Sequence, residues 1–265
     1  MGRTDIIAEI SWNHCGDFKL AEKMITAAAE SGADYAKTQT WKEEKLKPGP
    51  WDKDGRRELY RKAQINTLDR QYQLMEMCQK NNIKYLTSIF DHRDLDLIPP
   101  EMDTIKIPGI ECSNKTLVEA CCQRFKKVFL SAAGQKSEKV LEIVNSPAVR
   151  GCHLIIMHGV YLYPCPLEYS NLSRIRYYKS FYPHVGYSDH TEGYEAPFAA
   201  LGMGVEVIEK HFTTNNALEG KDNAFSCLPP TLRRICDFRN DVAIMTKDTD
   251  PDESGIRIYR GRWAG

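Results

Sequence analysis

No stretch of about eighteen consecutive apolar residues occurs in the 265-residue chain, so nothing in it reads as a membrane-spanning helix. Net charge is missing too, because 36 Lys and Arg residues cancel 36 Asp and Glu residues. Without a global field there is nothing long-range to hold nucleic acid or an anionic membrane surface, and any affinity for an anion must be local. The opening MGRTDIIAEI has no apolar stretch of the kind that marks a secretion signal, which points to a cytoplasmic protein. There is no CxxC pair among the nine cysteines, at 15, 78, 112, 121, 122, 152, 165, 227 and 236, and an odd number cannot all pair internally. They read as reduced thiols, several of them acting as small hydrophobes inside apolar segments. A GxGxxG turn is also absent where ISWNHCGD follows the first strand-like run, which removes the usual sign of a dinucleotide in an open, doubly wound sheet.

What is present is an alternation. With 42% hydrophobic residues, the chain has apolar material for one continuous core and about the length of one (β/α)8 TIM barrel. Strand-length apolar runs are expected at Asp5–Ile10, Tyr35–Gln39, Lys84–Ser88, Thr104–Ile107, Val128–Ser131, His153–Met157, Val185–Tyr187 and Val205–Ile208. Amphipathic helices are expected near 17–31, 69–82, 92–98, 114–124, 136–145, 170–182, 193–202 and 230–246. Ser113-Asn114 and Ser137 suit helix starts, and Gly32 and Gly202 suit helix ends. Eight such units favour a closed parallel barrel, α/β in class, as a single domain over 1–247 followed by a tail over 248–265. The charged stretch 41–66 reads either as a surface insertion or as a loop placed to cover the barrel mouth.

In such barrels chemistry is carried at the C-terminal ends of the strands. Those positions hold Glu9, Asn13 and His14; Lys37 and Gln39; Ser88 and Asp91; Lys106 and Glu111; Ser131; His158, Tyr161 and Tyr163; Ser188, Asp189 and His190; and Glu209, Lys210 and His211. His190 and His211 lie on adjacent strands and can face one point, where neutral imidazole suits a divalent transition metal with positions left open for water and substrate. Lys37 and Lys106, with the hydroxyls of Ser88, Ser131 and Ser188, would form a buried group of cations and donors for which a small polyanion is the natural partner. The alternative is that Glu9 and Glu111 neutralise the two lysines.

The motifs AEISWNHCGD, ADYAKTQT, IKIPGIEC, YLYPCP, GYSDHT, IEKHF and GKDNAFS, in this order along residues 5 to 240, resemble those of the sialic acid synthase family. The resemblance implies condensation of phosphoenolpyruvate with an amino-sugar aldehyde, releasing phosphate and leaving a 2-keto acid sugar. It implies Mn2+, or else Mg2+, held by His190 and His211. Glu9, Lys37, Lys106 and Glu111 would then be catalytic, while Gln39, Ser88, Ser131, Tyr163, Ser188 and Asp222 would bind substrate; Asp189 and Glu209 would support the metal. The sequence departs from the family pattern at Pro108-Gly109-Ile110, at Ser131-Ala132-Ala133 and at Tyr161, which leaves room for another aldehyde or for a sugar-acid-binding barrel with weakened chemistry. The family's C-terminal antifreeze-like domain has no counterpart here, so the arginine it lends to the sugar is expected from the tail, from a separate protein or not at all. A homodimer is compatible with the resemblance.

Overall fold

A computed structural model describes residues 3–247. Eight parallel strands close into a barrel in sequence order: β1 (Asp5–Ser11), β2 (Tyr35–Thr40), β3 (Lys84–Ile89), β4 (Thr104–Ile107), β5 (Lys127–Ser131), β6 (His153–Gly159), β7 (Val185–Asp189) and β8 (Val207–His211). Around them run α1 (Phe18–Glu30), α2 (Arg56–Ala63), α3 (Leu68–Lys80), α4 (Lys115–Arg124), α5 (Ser137–Val144), α6 (Ser173–Lys179), α7 (Glu195–Gly202), α8 (Lys221–Phe225) and α9 (Pro229–Met245). Among the described residues no helix is long and apolar enough to cross a membrane. The expected tail over 248–265 lies outside the described residues.

Local chemistry accounts for the elements. In α1 the Asp17 carboxylate caps the first turn by accepting from the Lys19 and Leu20 amides. Ala21, Met24, Ile25 and Ala28 then recur at helical spacing and are buried, and Gly32, at φ +90°, turns the chain out. Asn114 caps α4 and Gly202 ends α7 as the sequence suggests, and the positive-φ glycine that follows is Gly204. The segment expected as a helix near 92–98 is a short 3-10 stretch, His92–Leu97, started by the Asp91 side chain. The 41–66 stretch is folded: it contains α2, pairs Thr40 with Ile65, and packs Tyr60 edge-on against both Trp12 and Trp41.

Strand alternation sorts the residues into two cores. Outward-facing Ile6, Ala8, Ala36, Ile105, Val128, Leu130, Leu154, Ile156 and Ile208 pack with the helices in the main cluster. Inward-facing Ile7, Tyr35, Leu86, Phe129, Ile155, Met157 and Val207 form a separate buried cluster that fills the barrel. Burying each such side chain contributes roughly 1.5–3 kcal/mol, so the barrel is plugged by apolar contacts and is not a pore. One step further along the inward face the residues become Glu9, Lys37, Ser88, Ser131, Ser188 and Glu209, with Lys106 from β4. The polar ring therefore rests directly on the apolar plug.

Six strands run further than expected, β1, β2 and β3 by a single residue and three by more. β6 continues to Gly159, β7 to Asp189 and β8 to His211, while β8 starts two residues late. The polar residues that look like strand exits are strand residues in register with a neighbouring strand, Glu9 with His211 and Ser188 with Glu209.

Gly186 shows how tightly the plug is filled. A methyl group there would lie 2.4 Å from Val207 Cγ1 and 3.2 Å from Met157 Cγ. Gly186→Ala is expected to lower unfolding free energy by about 1–3 kcal/mol, read from the denaturant midpoint; an unchanged midpoint would show slack in the barrel interior.

Candidate active site at the barrel mouth

The cavity above the plug is lined by Glu9, Lys37, Gln39, Ser88, Phe90, Lys106, Pro108, Gly109, Ile110, Ser131, Tyr161, Tyr163, Ser188, His190, Glu209 and His211. Of the sequence candidates, Glu9, Lys37, Gln39, Ser88, Lys106, Ser131, Tyr163, Ser188, His190 and His211 are thus brought together at the ends of seven strands and the loop after β6. Glu111 and Asp222 are not among the lining residues.

Neither lysine stands unpaired. Lys37 forms an ion pair with Glu9 and donates to Ser88 Oγ at 2.9 Å; Lys106 pairs with Glu209 and donates to Ser188 Oγ at 2.9 Å. Glu209 Oε2 also lies 3.7 Å from Lys37 Nζ, so the two pairs form one group. Glu9 does neutralise Lys37, but the partner of Lys106 is Glu209 and not Glu111. The Glu111 carboxylate, half-buried in a single 3-10 turn, accepts from Asn114 Nδ2 at 2.9 Å.

All four charges are taken out of water, and the surroundings separate the two carboxyls. Burial pushes Glu9 up to about 7 against the pull of Lys37, and the nearby Glu209 charge adds to the rise. Burial also acts on Glu209, but Lys106 and Lys37 outweigh it and hold that carboxyl below its usual range. Lys106 is lowered, chiefly by burial. With every group ionised the two ammoniums and two carboxylates cancel; a proton on Glu9 leaves one positive charge in the cavity. Gln39 Nε2 donates to Glu9 Oε1 at 3.1 Å and orients it.

His190 and His211 meet beside this group with ring centroids 5.6 Å apart. His190 Nδ1 faces the Val160 carbonyl at 2.5 Å, and because a carbonyl only accepts, Nδ1 carries the proton and Nε2 keeps its lone pair. Burial pushes His190 down to about 4 and His211 well below the imidazole range, so both are neutral near pH 7. His211 Nδ1 is buried without a hydrogen-bond partner, and the Asp222 carboxylate lies 3.8 Å from it. Two neutral imidazoles, one with a backbone-fixed tautomer and one with an orphaned nitrogen, fit a divalent metal ion. Asp222 sits behind His211, accepts from Ser11 Oγ at 3.3 Å, and is pushed up to about 6 by burial. Tyr163 packs beside His190 at 4.2 Å between centroids, and Phe225 closes against Tyr163 and His211.

Several strand-end residues serve the scaffold instead. Asp189 accepts from Tyr187, Thr191 and Lys210 and is turned away from the cavity, so it does not support the two histidines directly. His158 stacks on Tyr187 and bonds the Ser170 carbonyl at 2.8 Å, a satisfied structural histidine. Asn13 donates to the Phe212 carbonyl at 2.9 Å and to Ser226 Oγ at 3.0 Å, tying the β1 loop to the chain after β8. Phe90, Ile110 and Tyr161 were not singled out as substrate contacts by residue type. Tyr161 covers the loops after β4 and β5, and methyl groups on Gly109 or Gly134 would collide with its ring or hydroxyl.

Set against known proteins, the chain matches the NeuB family model over residues 24–250. It is 32% identical over 252 residues to the N,N'-diacetyllegionaminic acid synthase of Campylobacter jejuni, covering 89% of this chain and 75% of that one. It is 33% identical over 238 residues to a pseudaminic acid synthase of the same species, covering 83% and 68%. The crystal structure of N-acetylneuraminic acid synthetase from Leptospira borgpetersenii, in complex with citrate, superposes with a TM-score of 0.84 at 29% identity, covering 96% of this chain and 90% of that one. The chain spans 65% to 75% of the length of such curated relatives.

His14, in the loop after β1, gives the fold a pH signature. Buried beneath the β1 loop, it accepts from the Gly16 amide through Nδ1, and burial pushes it down to about 4 from 6.5. A depressed histidine contributes stability that is complete above 6.5 and lost as the pH falls through about 4, on the order of 3 kcal/mol. The difference in unfolding free energy between wild type and His14→Gln is expected to shrink across that window; a pH-independent difference would contradict this.

Proposed function

The chain belongs to the NeuB family, and from that premise we propose that it joins the enolpyruvyl unit of phosphoenolpyruvate to an amino-sugar aldehyde, giving a sialic-acid-like 2-keto acid sugar and phosphate. Carbon 3 of the enolpyruvate bonds to the aldehyde carbon, whose oxygen takes up a proton and becomes a hydroxyl. Water supplies the oxygen of the new keto group, and phosphate leaves. The observation that carries the reading is the single buried group in which Lys37, Lys106, Glu9 and Glu209 meet the His190–His211 pair.

Each residue has a task set by its surroundings. Lys37 and Lys106, with Ser88, Ser131 and Ser188, hold the carboxylate and phosphate of phosphoenolpyruvate in a dry site, where such donors are worth far more than in water. Glu9 is the proton carrier, because burial brings its carboxyl up to about 7, and Gln39 keeps it aimed. Glu209 stays ionised and fixes Lys106. Tyr163 walls the acceptor side. Glu111 and Asp222 lie behind the lining and act through their neighbours, Asn114 and His211. A divalent ion held by His190 and His211 supplies Lewis acidity toward the aldehyde oxygen. Mn2+ suits two imidazoles better than Mg2+, which favours oxygen ligands and keeps its water. No arginine lines the cavity among the described residues. A guanidinium for the sugar is therefore expected from the tail, from a separate protein or not at all.

The experiment is an acceptor screen read by mass spectrometry, with phosphoenolpyruvate, Mn2+ and aldehydes with and without acetamido groups. A product with the mass of sugar plus phosphoenolpyruvate plus water minus phosphate is expected only with an amino-sugar aldehyde. The His190→Ala, His211→Ala double variant is expected to lose phosphate release by at least about 100-fold, and unchanged turnover would remove the metal assignment. For wild type, kcat/KM is expected to rise with pH through about 7 as Glu9 loses its proton. Glu9→Gln is expected to cost about 100-fold to 10,000-fold and to abolish that limb. A variant keeping both rate and limb would exclude Glu9 as the proton carrier.

A further inference from the structure

A second convergence of metal-binding side chains lies at the opposite end of the strands. His153 opens β6, His184 precedes β7 by one residue, and Glu206 precedes β8 by one residue, so the three come from adjacent strand starts at the barrel floor. Along β6, His153 and the cavity end near Gly159 are six steps apart, about 20 Å at ~3.3 Å per residue. Among the described residues this is the one place where three His, Cys, Asp or Glu side chains each bring a metal-ligating atom within 4.8 Å of the others. His190 and His211 at the mouth meet only as a pair.

The separations are those of a coordination polyhedron. His153 Nε2 is 3.1 Å from His184 Nδ1 and 3.2 Å from Glu206 Oε2, and His184 Nδ1 is 2.7 Å from Glu206 Oε1. Ligands about 2.0–2.1 Å from a tetrahedral ion lie about 3.3 Å from one another, so small side-chain shifts suffice to admit one. The donors are two imidazole nitrogens and one carboxylate group, a set suited to zinc-class ions and poor for Mg2+ or Ca2+. Their backbones are pinned: the His153 amide donates to the Lys126 carbonyl, the His184 carbonyl accepts from the Ile156 amide, and the Glu206 amide donates to the Val185 carbonyl. Tyr182 packs edge-on against His184, 5.6 Å between centroids, and further limits that ring. Lys127, the nearest cation from β5, is drawn to Asp5 at 3.3 Å. The side chains are partly exposed, 41%, 41% and 35%, which leaves the fourth position open to water.

We propose that His153, His184 and Glu206 form a zinc-class binding site on the barrel floor, separate from the catalytic mouth, that ties the starts of β6, β7 and β8 together. The ion binds the folded chain in preference to the unfolded one and so raises its stability. This site stands whether or not the mouth performs the proposed condensation.

The test is Zn2+ alone, added to metal-stripped protein and counted by equilibrium dialysis with elemental analysis. The His190→Ala, His211→Ala variant, which lacks the mouth pair, is expected to bind one Zn2+ per chain and to unfold at a higher temperature when it does. Adding His153→Ala, or separately Glu206→Gln, is expected to weaken that binding at least about tenfold and to remove the thermal shift, since loss of even an outer partner of a metal ligand costs about 10–100-fold. Should the mouth variant fold poorly, His153→Ala in the otherwise native chain serves: the Zn2+ count is expected to fall from two to one. Co2+ is expected to give an intense four-coordinate visible spectrum that this substitution removes. A mouth variant that binds no Zn2+, or a His153→Ala chain with an unchanged count, would leave the cluster as a proton-sharing triad only and overturn the proposal.

Discussion

Charge held out of water is the constraint around which this molecule is arranged. Two lysines and two glutamates sit on an apolar plug inside a closed barrel, where each alone would cost several kcal/mol of lost hydration. They are tolerable because they arrive together. Lys37 and Glu9 come from paired positions of β2 and β1, whereas Lys106 and Glu209 reach across the barrel from β4 and β8. Closure of the sheet brings distant parts of the sequence within reach of one another, and the helices outside have the task of keeping it closed.

The same constraint assigns the chemistry. A buried group of balanced charges does not attract an anion by surplus charge, so in the proposed reaction recognition of phosphoenolpyruvate would rest on exchange, its oxygens replacing carboxylate oxygens as partners of the lysines and serines. Glu9 is the carboxylate best prepared to give up its charge, since burial and its neighbour Glu209 both favour its protonated form. The two imidazoles stay neutral for the same reason of burial, which keeps them able to hold a cation. The proposed proton carrier, anion clamp and metal pair all draw on one desolvated environment.

The barrel was legible because its strands are short apolar runs and because inward positions switch from Ile7, Tyr35, Leu86, Phe129 and Val207 to polar residues one step later. The pairing of Lys106 was not, since Glu111 and Glu209 are equally acidic and only the turn after β4, which hands Glu111 to Asn114, decides between them. Strand ends were misjudged wherever polar side chains are buried within a strand: Lys210 looks like an exit residue but faces outward beneath the helices, satisfied by Asp189 and the Thr191 carbonyl. Helix α2 leaves little periodic signal in the sequence because its apolar face is small, with Leu59 and Ala63 as its buried residues. The floor triad has no sequence signature, as three residues spread over more than fifty positions are joined only by the start points of β6, β7 and β8.

If the buried ion pairs are kept for chemistry and not for stability, replacing one with apolar side chains of similar length must separate the two. The decisive measurement is unfolding free energy and phosphate release in parallel for the Lys106→Met, Glu209→Met double variant. The account predicts stability unchanged or raised by about 1–4 kcal/mol, with turnover gone. A double variant that still releases phosphate from phosphoenolpyruvate, yet unfolds several kcal/mol more easily, would contradict it.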